Sequence, residues 1–138
     1  MTIDAIVNGV VIDHIKAGKS MEIYNLLNLG EIDSQVAIIK NAPSKLMGKK
    51  DIIKIACDME LDLDVLGFID SDITVNIIKN GTLAEKKHPE LPEIITDVKK
   101  CKNPRCITTV EQDIHHIFKL TDKENKVYRC LYCEARAD

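Results

Sequence analysis

Four cysteines near the C-terminus constrain this chain more than any other feature: Cys101, Cys106, Cys130 and Cys133, spaced Cys-x4-Cys-x23-Cys-x2-Cys. Two close thiol pairs separated by one long loop suit a tetrahedral zinc ion, because each pair supplies one edge of the coordination shell. Four thiolates fill that shell and leave no position for water or substrate. The spacing therefore predicts a structural Zn2+ site that shapes a fold and performs no chemistry.

The length of 138 residues accommodates one ordinary domain, or two small ones if the second is stapled by a metal. With 45% hydrophobic and 30% charged residues the chain is globular in composition, and without Trp its core must come from Ile, Leu and Val. The expected fold class is α+β. Strands are predicted over 10–15, 35–40, 50–55 and 73–79. Between them, one helix built on Ile23, Leu26 and Leu27 ends at Gly30, and a second is capped by Asp62 and ends near Asp70. Pro43 and Gly48 read as a loop, and Asn80-Gly81 as a hairpin turn into a further strand ending at Lys87. This βαββαβ order is that of a ferredoxin-like sandwich, with two helices on one face of an antiparallel sheet. The segment His88-Pro89-Glu90-Leu91-Pro92 reads as a linker, which gives domains of 1–94 and 95–138. The second is a small antiparallel β module whose few apolar residues make zinc its main source of folding free energy.

The net charge of −3 is unevenly distributed: residues 1–98 hold 10 basic and 16 acidic side chains, and residues 99–138 hold 9 and 6. Lys99, Lys100, Lys102, Arg105 and Arg129 surround the cysteines and offset the net negative charge of a four-thiolate zinc site. The competing function for this basic segment is a zinc-ribbon nucleic-acid-binding module, but few aromatics are available for base stacking. No nucleic-acid or membrane partner is expected. No apolar run approaches the ~20 residues of a membrane span, and the start of the chain lacks a signal pattern, so a cytoplasmic protein is expected. Cys57 reads as a small buried hydrophobe, and His115-His116 as ordinary loop or strand residues.

In the first domain Lys50 and Lys54 share one predicted strand while Lys86 and Lys87 end another, so their convergence would create a phosphate-sized positive site on an acidic domain. Asp13 and His14 are adjacent on a strand, where neighbours point to opposite faces, which argues against an acid–base dyad. No phosphate loop, nucleophile elbow or catalytic carboxylate pair stands out, and no enzyme activity is expected.

Several fragments together resemble the regulatory chain of aspartate carbamoyltransferase. They are Gly9-Val-Val-Ile-Asp-His-Ile15, Pro43-Ser-Lys-Leu-Met-Gly-Lys-Lys-Asp-Ile-Ile-Lys-Ile55, Thr74-Val-Asn-Ile-Ile78, Leu91-Pro-Glu93, the Cys101-x4-Cys106 pair and Cys130-Leu-Tyr-Cys-Glu134. The resemblance implies a non-catalytic subunit with an N-terminal domain that binds the effectors CTP and ATP and a C-terminal zinc domain that docks on the catalytic chain. It implies a regulatory homodimer that links catalytic trimers and transmits allosteric control of pyrimidine biosynthesis. By the same resemblance Asp13 holds the ribose, His14 lies near the phosphates, and Lys54 contacts ribose or base. Ile6, Asn76 and Ile78 frame the base, with Lys50 nearby and Lys86 on the triphosphate. Asn103, Arg105 and Glu134 fall at catalytic-chain contact positions, Arg105 in place of a typical Asn. Gly81 replaces a common aromatic and His88 an expected Arg, which leaves an assembly-only subunit without effector response as an alternative. The chain ends five residues after Cys133, so the last strand of the zinc domain is expected to be short or missing.

Overall fold

The computed structural model describes residues 6–137. The chain divides into two compact units, Met1–Pro89 and Glu90–Asp138. The junction precedes the 94/95 boundary set from sequence, because Ile94 and Ile95 pair with the second unit's sheet.

In the first unit, β1 (Gly9–Lys16), α1 (Ser20–Leu26), β2 (Val36–Ser44), β3 (Gly48–Ile55), α2 (Leu63–Ile69), β4 (Thr74–Lys79) and β5 (Thr82–Lys87) follow one another. The sheet is antiparallel with strand order β2-β3-β1-β4-β5, the ferredoxin-like arrangement with one added edge strand. Alternation places Val10 and Ile12 of β1, Ile53 and Ile55 of β3, and Val75 of β4 in one buried cluster with Ile23 of α1 and Leu66 and Ile69 of α2. Both helices therefore cover the same face, and Cys57 packs half-buried against this core.

Local signals explain most element ends. Asp62 caps α2 by accepting the backbone N–H groups of Asp64 and Val65. Asn80 and Gly81 both adopt positive φ, 53° and 77°, as a two-residue hairpin turn requires. A Cβ on Gly9 would lie 2.0 Å from the Ile55 carbonyl oxygen, so only glycine lets β1 start this close to β3. Two expectations need correction. The first helix ends before Gly30, since left-handed Asn28 turns the chain and Gly30 lies in a separate 3-10 turn, Leu29–Glu31. Pro43 lies inside β2, an edge strand that tolerates a residue without an N–H donor.

Both strands flanking β3 carry one extra residue. β1 bulges between Ile12 and Ile15 and β2 between Ile39 and Ala42, with left-handed His14 and Asn41 inside the two bulges. Between them sits Asp51, fully buried at 0% exposure, whose Oδ2 accepts the N–H groups of Gly18 and Ser20 while Oδ1 accepts that of Asn41. A second buried carboxylate, Asp70, accepts from Lys16 and Asp72 and holds the exit of β1 to the α2–β4 turn.

The second unit is a three-stranded antiparallel sheet, β6 (Ile94–Thr96), β7 (Ile117–Asp122) and β8 (Val127–Cys130), with one helical turn, α3 (Ile107–Val110). The short last strand expected from sequence is a single bridge, Arg129 to Arg136. Among the described residues its buried apolar side chains other than cysteine are Ile95, Phe118, Val127, Tyr128 and Ala137. So small a core calls for a staple.

Burial pushes the Asp51 carboxyl up, but the donors of Ser20, Asn41 and Gly18 outweigh it and hold the group below its ordinary value. Its stabilising contribution is therefore complete above the unfolded value of ~3.9 and is lost as pH falls through the folded one. Urea unfolding is expected to show a midpoint that drops between pH 5 and pH 3, with a shallower drop in Asp51→Asn. Asp51→Ala should cost about 2–4 kcal/mol at pH 7 by stranding buried N–H groups.

Candidate metal centre and ligand-binding face

Cys101 and Cys106 flank a tight loop before α3, while Cys130 ends β8 and Cys133 follows in a turn closed by the Glu134 N–H to the Cys130 carbonyl. The four Sγ atoms lie within 4.8 Å of one another. The Cys101–Cys133 and Cys106–Cys130 separations are both 3.6 Å. A tetrahedron with ~2.3 Å zinc–sulfur bonds has edges of about 3.8 Å, close to the two 3.6 Å separations, so the donor set suits Zn2+. Sulfurs this far apart are free thiols and not disulfides.

Backbone geometry around the cysteines aims donors at sulfur. The N–H groups of Asn103, Thr108 and Ala135 point to Cys101, Cys106 and Cys133, and those of Tyr132 and Cys133 to Cys130. Two side chains add to them: the buried Thr108 hydroxyl lies 3.0 Å from Cys106 Sγ, and the Asn103 amide reaches Cys133. Burial and the neighbouring thiols push Cys101 up to about 12. Burial also works against Cys106, yet the Thr108 donors outweigh it and bring that thiol down to about 6. Four clustered thiols, three of them buried, that cannot all ionise alone become a full ligand set once a cation sits between them.

His115 and His116 do not extend the site. His116 Nδ1 accepts the Cys101 N–H at 3.1 Å, and its own N–H donates to Asp97, whose other oxygen meets His115 Nδ1. His116 thus orients a ligand loop. Half-buried Asn103 and exposed Arg105 lie in the first cysteine loop, and exposed Glu134 follows the second pair. Near them in sequence the large apolar side chains of Ile107, Val110, Leu131 and Tyr132 are exposed.

In the first unit the sheet face opposite the helices carries the other candidates. Register places Lys54, Val11, Asn76 and Lys86 in one row across β3, β1, β4 and β5. Three strand spacings put the two lysines about 14 Å apart. Ile78 follows two residues after Asn76 on the same face and pairs with Gly9, against which Ile6 packs. The Lys50 ammonium meets Asp13 at 3.0 Å with both side chains about four-fifths buried, at 18% and 21% exposure. Burial would raise the Asp13 carboxyl, but Lys50, the His14 N–H and the His14 ring hold it below its ordinary value.

Strict alternation fails at Asp13 and His14. Ile12 and Ile15 are both buried although three residues apart, so the bulge turns Asp13 and His14 together away from the core. His14 Nδ1 and Asn76 Oδ1 are buried with no hydrogen-bond partner among the described residues. Lys54 and Lys86 have no ion-pair partner there either. Lys87 does not join them, because it pairs in register with core-facing Val75 and meets Glu85. The open cleft of about 750 Å3 lined by Val10, Met59, Leu61, Val75 and Lys87 is on that helix-covered face.

Missed from sequence were Asp51, Asp70, Thr108 and His116. Asp51 had a visible signal, a carboxylate two and four residues before buried Ile53 and Ile55 on one strand face. The Thr108 contact depends on loop geometry that no spacing rule encodes.

A ferredoxin-like sandwich and a separate module that gathers four cysteine sulfurs define a protein of two units, the second with a candidate metal site. Residues 1–90 match the allosteric domain of the aspartate carbamoyltransferase regulatory chain, and residues 93–138 match its metal binding domain. The chain belongs to the aspartate carbamoyltransferase regulatory chain family, and so is a regulatory and not a catalytic chain. Relatives bearing that name include one from Clostridium botulinum, 54% identical over 97% of this chain and 92% of the relative. Others come from Clostridium acetobutylicum, 52% identical over the same shares, and Bifidobacterium longum, 45% identical over 99% of both.

Removing the hydrogen bond to Cys106 should loosen the metal. Thr108→Val is expected to lower zinc affinity by roughly 10- to 100-fold in chelator competition, while Thr108→Ser stays near wild type. Equal retention in both variants would remove Thr108 from the metal centre.

Proposed function

We propose that this chain senses CTP and ATP on the open sheet face of its first unit and docks through its zinc module on the catalytic chain of aspartate carbamoyltransferase. Paired as a regulatory homodimer between catalytic trimers, it would set enzyme activity according to pyrimidine and purine supply. The observation that carries the effector half is the composition of that face: a buried Asp13–Lys50 pair, two buried polar atoms without partners among the described residues and two unpaired lysines. Asp13 suits ribose hydroxyls, Lys86 and His14 suit phosphates, and Asn76 with Ile6 and Ile78 suits a base edge and its apolar surface. Lys54 completes the band towards ribose or base. Binding of this type needs neither a phosphate loop nor a general base.

The docking half rests on the metal module. Zinc would hold the two loops that present Asn103, Arg105 and Glu134, with the exposed apolar side chains of α3 and the Cys130–Cys133 turn beside them. A nucleotide could then change activity only by binding one state of the assembly more tightly than the other. No helix among the described residues is long and apolar enough to cross a membrane.

Two substitutions separate the halves. Cys133→Ser should leave a chain that cannot join catalytic trimers in a sizing experiment, and normal assembly would contradict zinc-dependent docking. Lys54→Ala and Lys86→Ala should weaken CTP and ATP in calorimetry, by roughly 10-fold each for a lost charged hydrogen bond, with assembly intact. Unchanged affinity in both would move the effector site elsewhere. Absence of binding by the wild-type chain would make it an assembly-only subunit.

A further inference from the structure

Asp51 is fully buried, ionised, and without a role in either proposed site. On β3 it points into the helix-covered core, while its neighbour Lys50 points the other way to Asp13. Its carboxylate holds the turn after β1 through Gly18 and Ser20, and the bulge of β2 through Asn41. Its backbone pairs with Ile15, the first residue after the β1 bulge. The extra residue of β1 is therefore confined between the Ile12–Ile53 pair and the Ile15–Asp51 pair.

This confinement has a geometric consequence. Without the extra residue the pairing of β1 beyond Ile12 would slip by one, and a one-residue slip turns each following side chain to the other face. Asp13 and His14 could not both leave the core, and Asp13 would lose the setting in which it meets Lys50. An apolar residue at position 51 would pack with Ile53 and Ile55 but could not accept the N–H groups of Gly18 and Ser20 in the turn after β1 and of Asn41 in the bulge of β2.

We propose that Asp51 is the positioning residue of the ligand-binding face, its buried carboxylate setting the bulged register of β1 and β2 against β3 so that Asp13 meets Lys50. Its part in nucleotide binding rests on the effector reading given above. Asp51 touches no ligand itself.

The test uses the full zinc-loaded chain and follows the Asp13 carboxyl by NMR titration in wild type, Asp51→Asn and Asp51→Glu, with folding checked by circular dichroism. CTP affinity is measured in the same proteins, in Asp13→Asn and in Asp13→Asn/Asp51→Asn. The Asp13 midpoint should rise towards ~3.9 in the Asp51 variants as its ion pair loosens. Asp51→Asn should weaken CTP by roughly 5- to 50-fold, and that loss should shrink below about 2-fold when Asp13 is already Asn. An unmoved Asp13 midpoint in a folded variant overturns the proposal. So does an equal loss of affinity with and without Asp13, or failure of both Asp51 variants to fold, which would make the residue purely structural. If wild type binds no CTP, the effector reading fails, and the Asp13 titration alone decides the role of Asp51.

Discussion

The C-terminal unit depends on one electrostatic constraint: four sulfurs within 4.8 Å of one another, three buried and that of Cys133 half-buried, cannot all be thiolates unless a cation stands among them. Five backbone N–H groups, the Thr108 hydroxyl and the Asn103 amide aim at those sulfurs and disperse their charge. Metal, ligands and donors form one cooperative object. The surrounding apolar core is small, and the proposed docking role rests on a metal fixing the loops that carry Asn103, Arg105 and Glu134.

The N-terminal unit solves a related problem without a metal. Asp51 and Asp70 are carboxylates in a helix-covered core, paired with backbone N–H groups at and after the end of β1 and, for Asp51, in the bulge of β2. Buried acceptors that replace ladder hydrogen bonds let a strand break its alternation at a chosen point. The break in β1 delivers Asp13 and His14 to the open face beside Lys50. Core chemistry on one side of the sheet thus fixes polar geometry on the other, and both units use a few buried charged or polarised groups to shape exposed loops.

Much of this was legible in the sequence because the signals are local. The cysteine spacing marked the metal module, Asp62 marked a helix start, and Asn80-Gly81 marked a hairpin. Period-2 alternation located β1, β3 and β4, whose core residues Val10, Ile12, Ile53, Ile55 and Val75 are buried as such strands require. What sequence did not reveal depends on contacts between distant segments. Alternation separated Asp13 from His14, but the bulge opposite Asp51 placed both away from the core. Lys87 was grouped with Lys86, whereas strand pairing sent it to the other face. Helix termination at Asn28 instead of Gly30 followed a left-handed residue that composition only weakly marks.

Effector sensing on one unit and docking through the other meet in a single measurement: aspartate saturation of the chain reconstituted with its catalytic partner, with and without CTP and ATP. The proposed function predicts that the nucleotides shift the saturation curve of the complex and leave that of isolated catalytic trimers unchanged. A complex that assembles fully but whose curve ignores both nucleotides would contradict it.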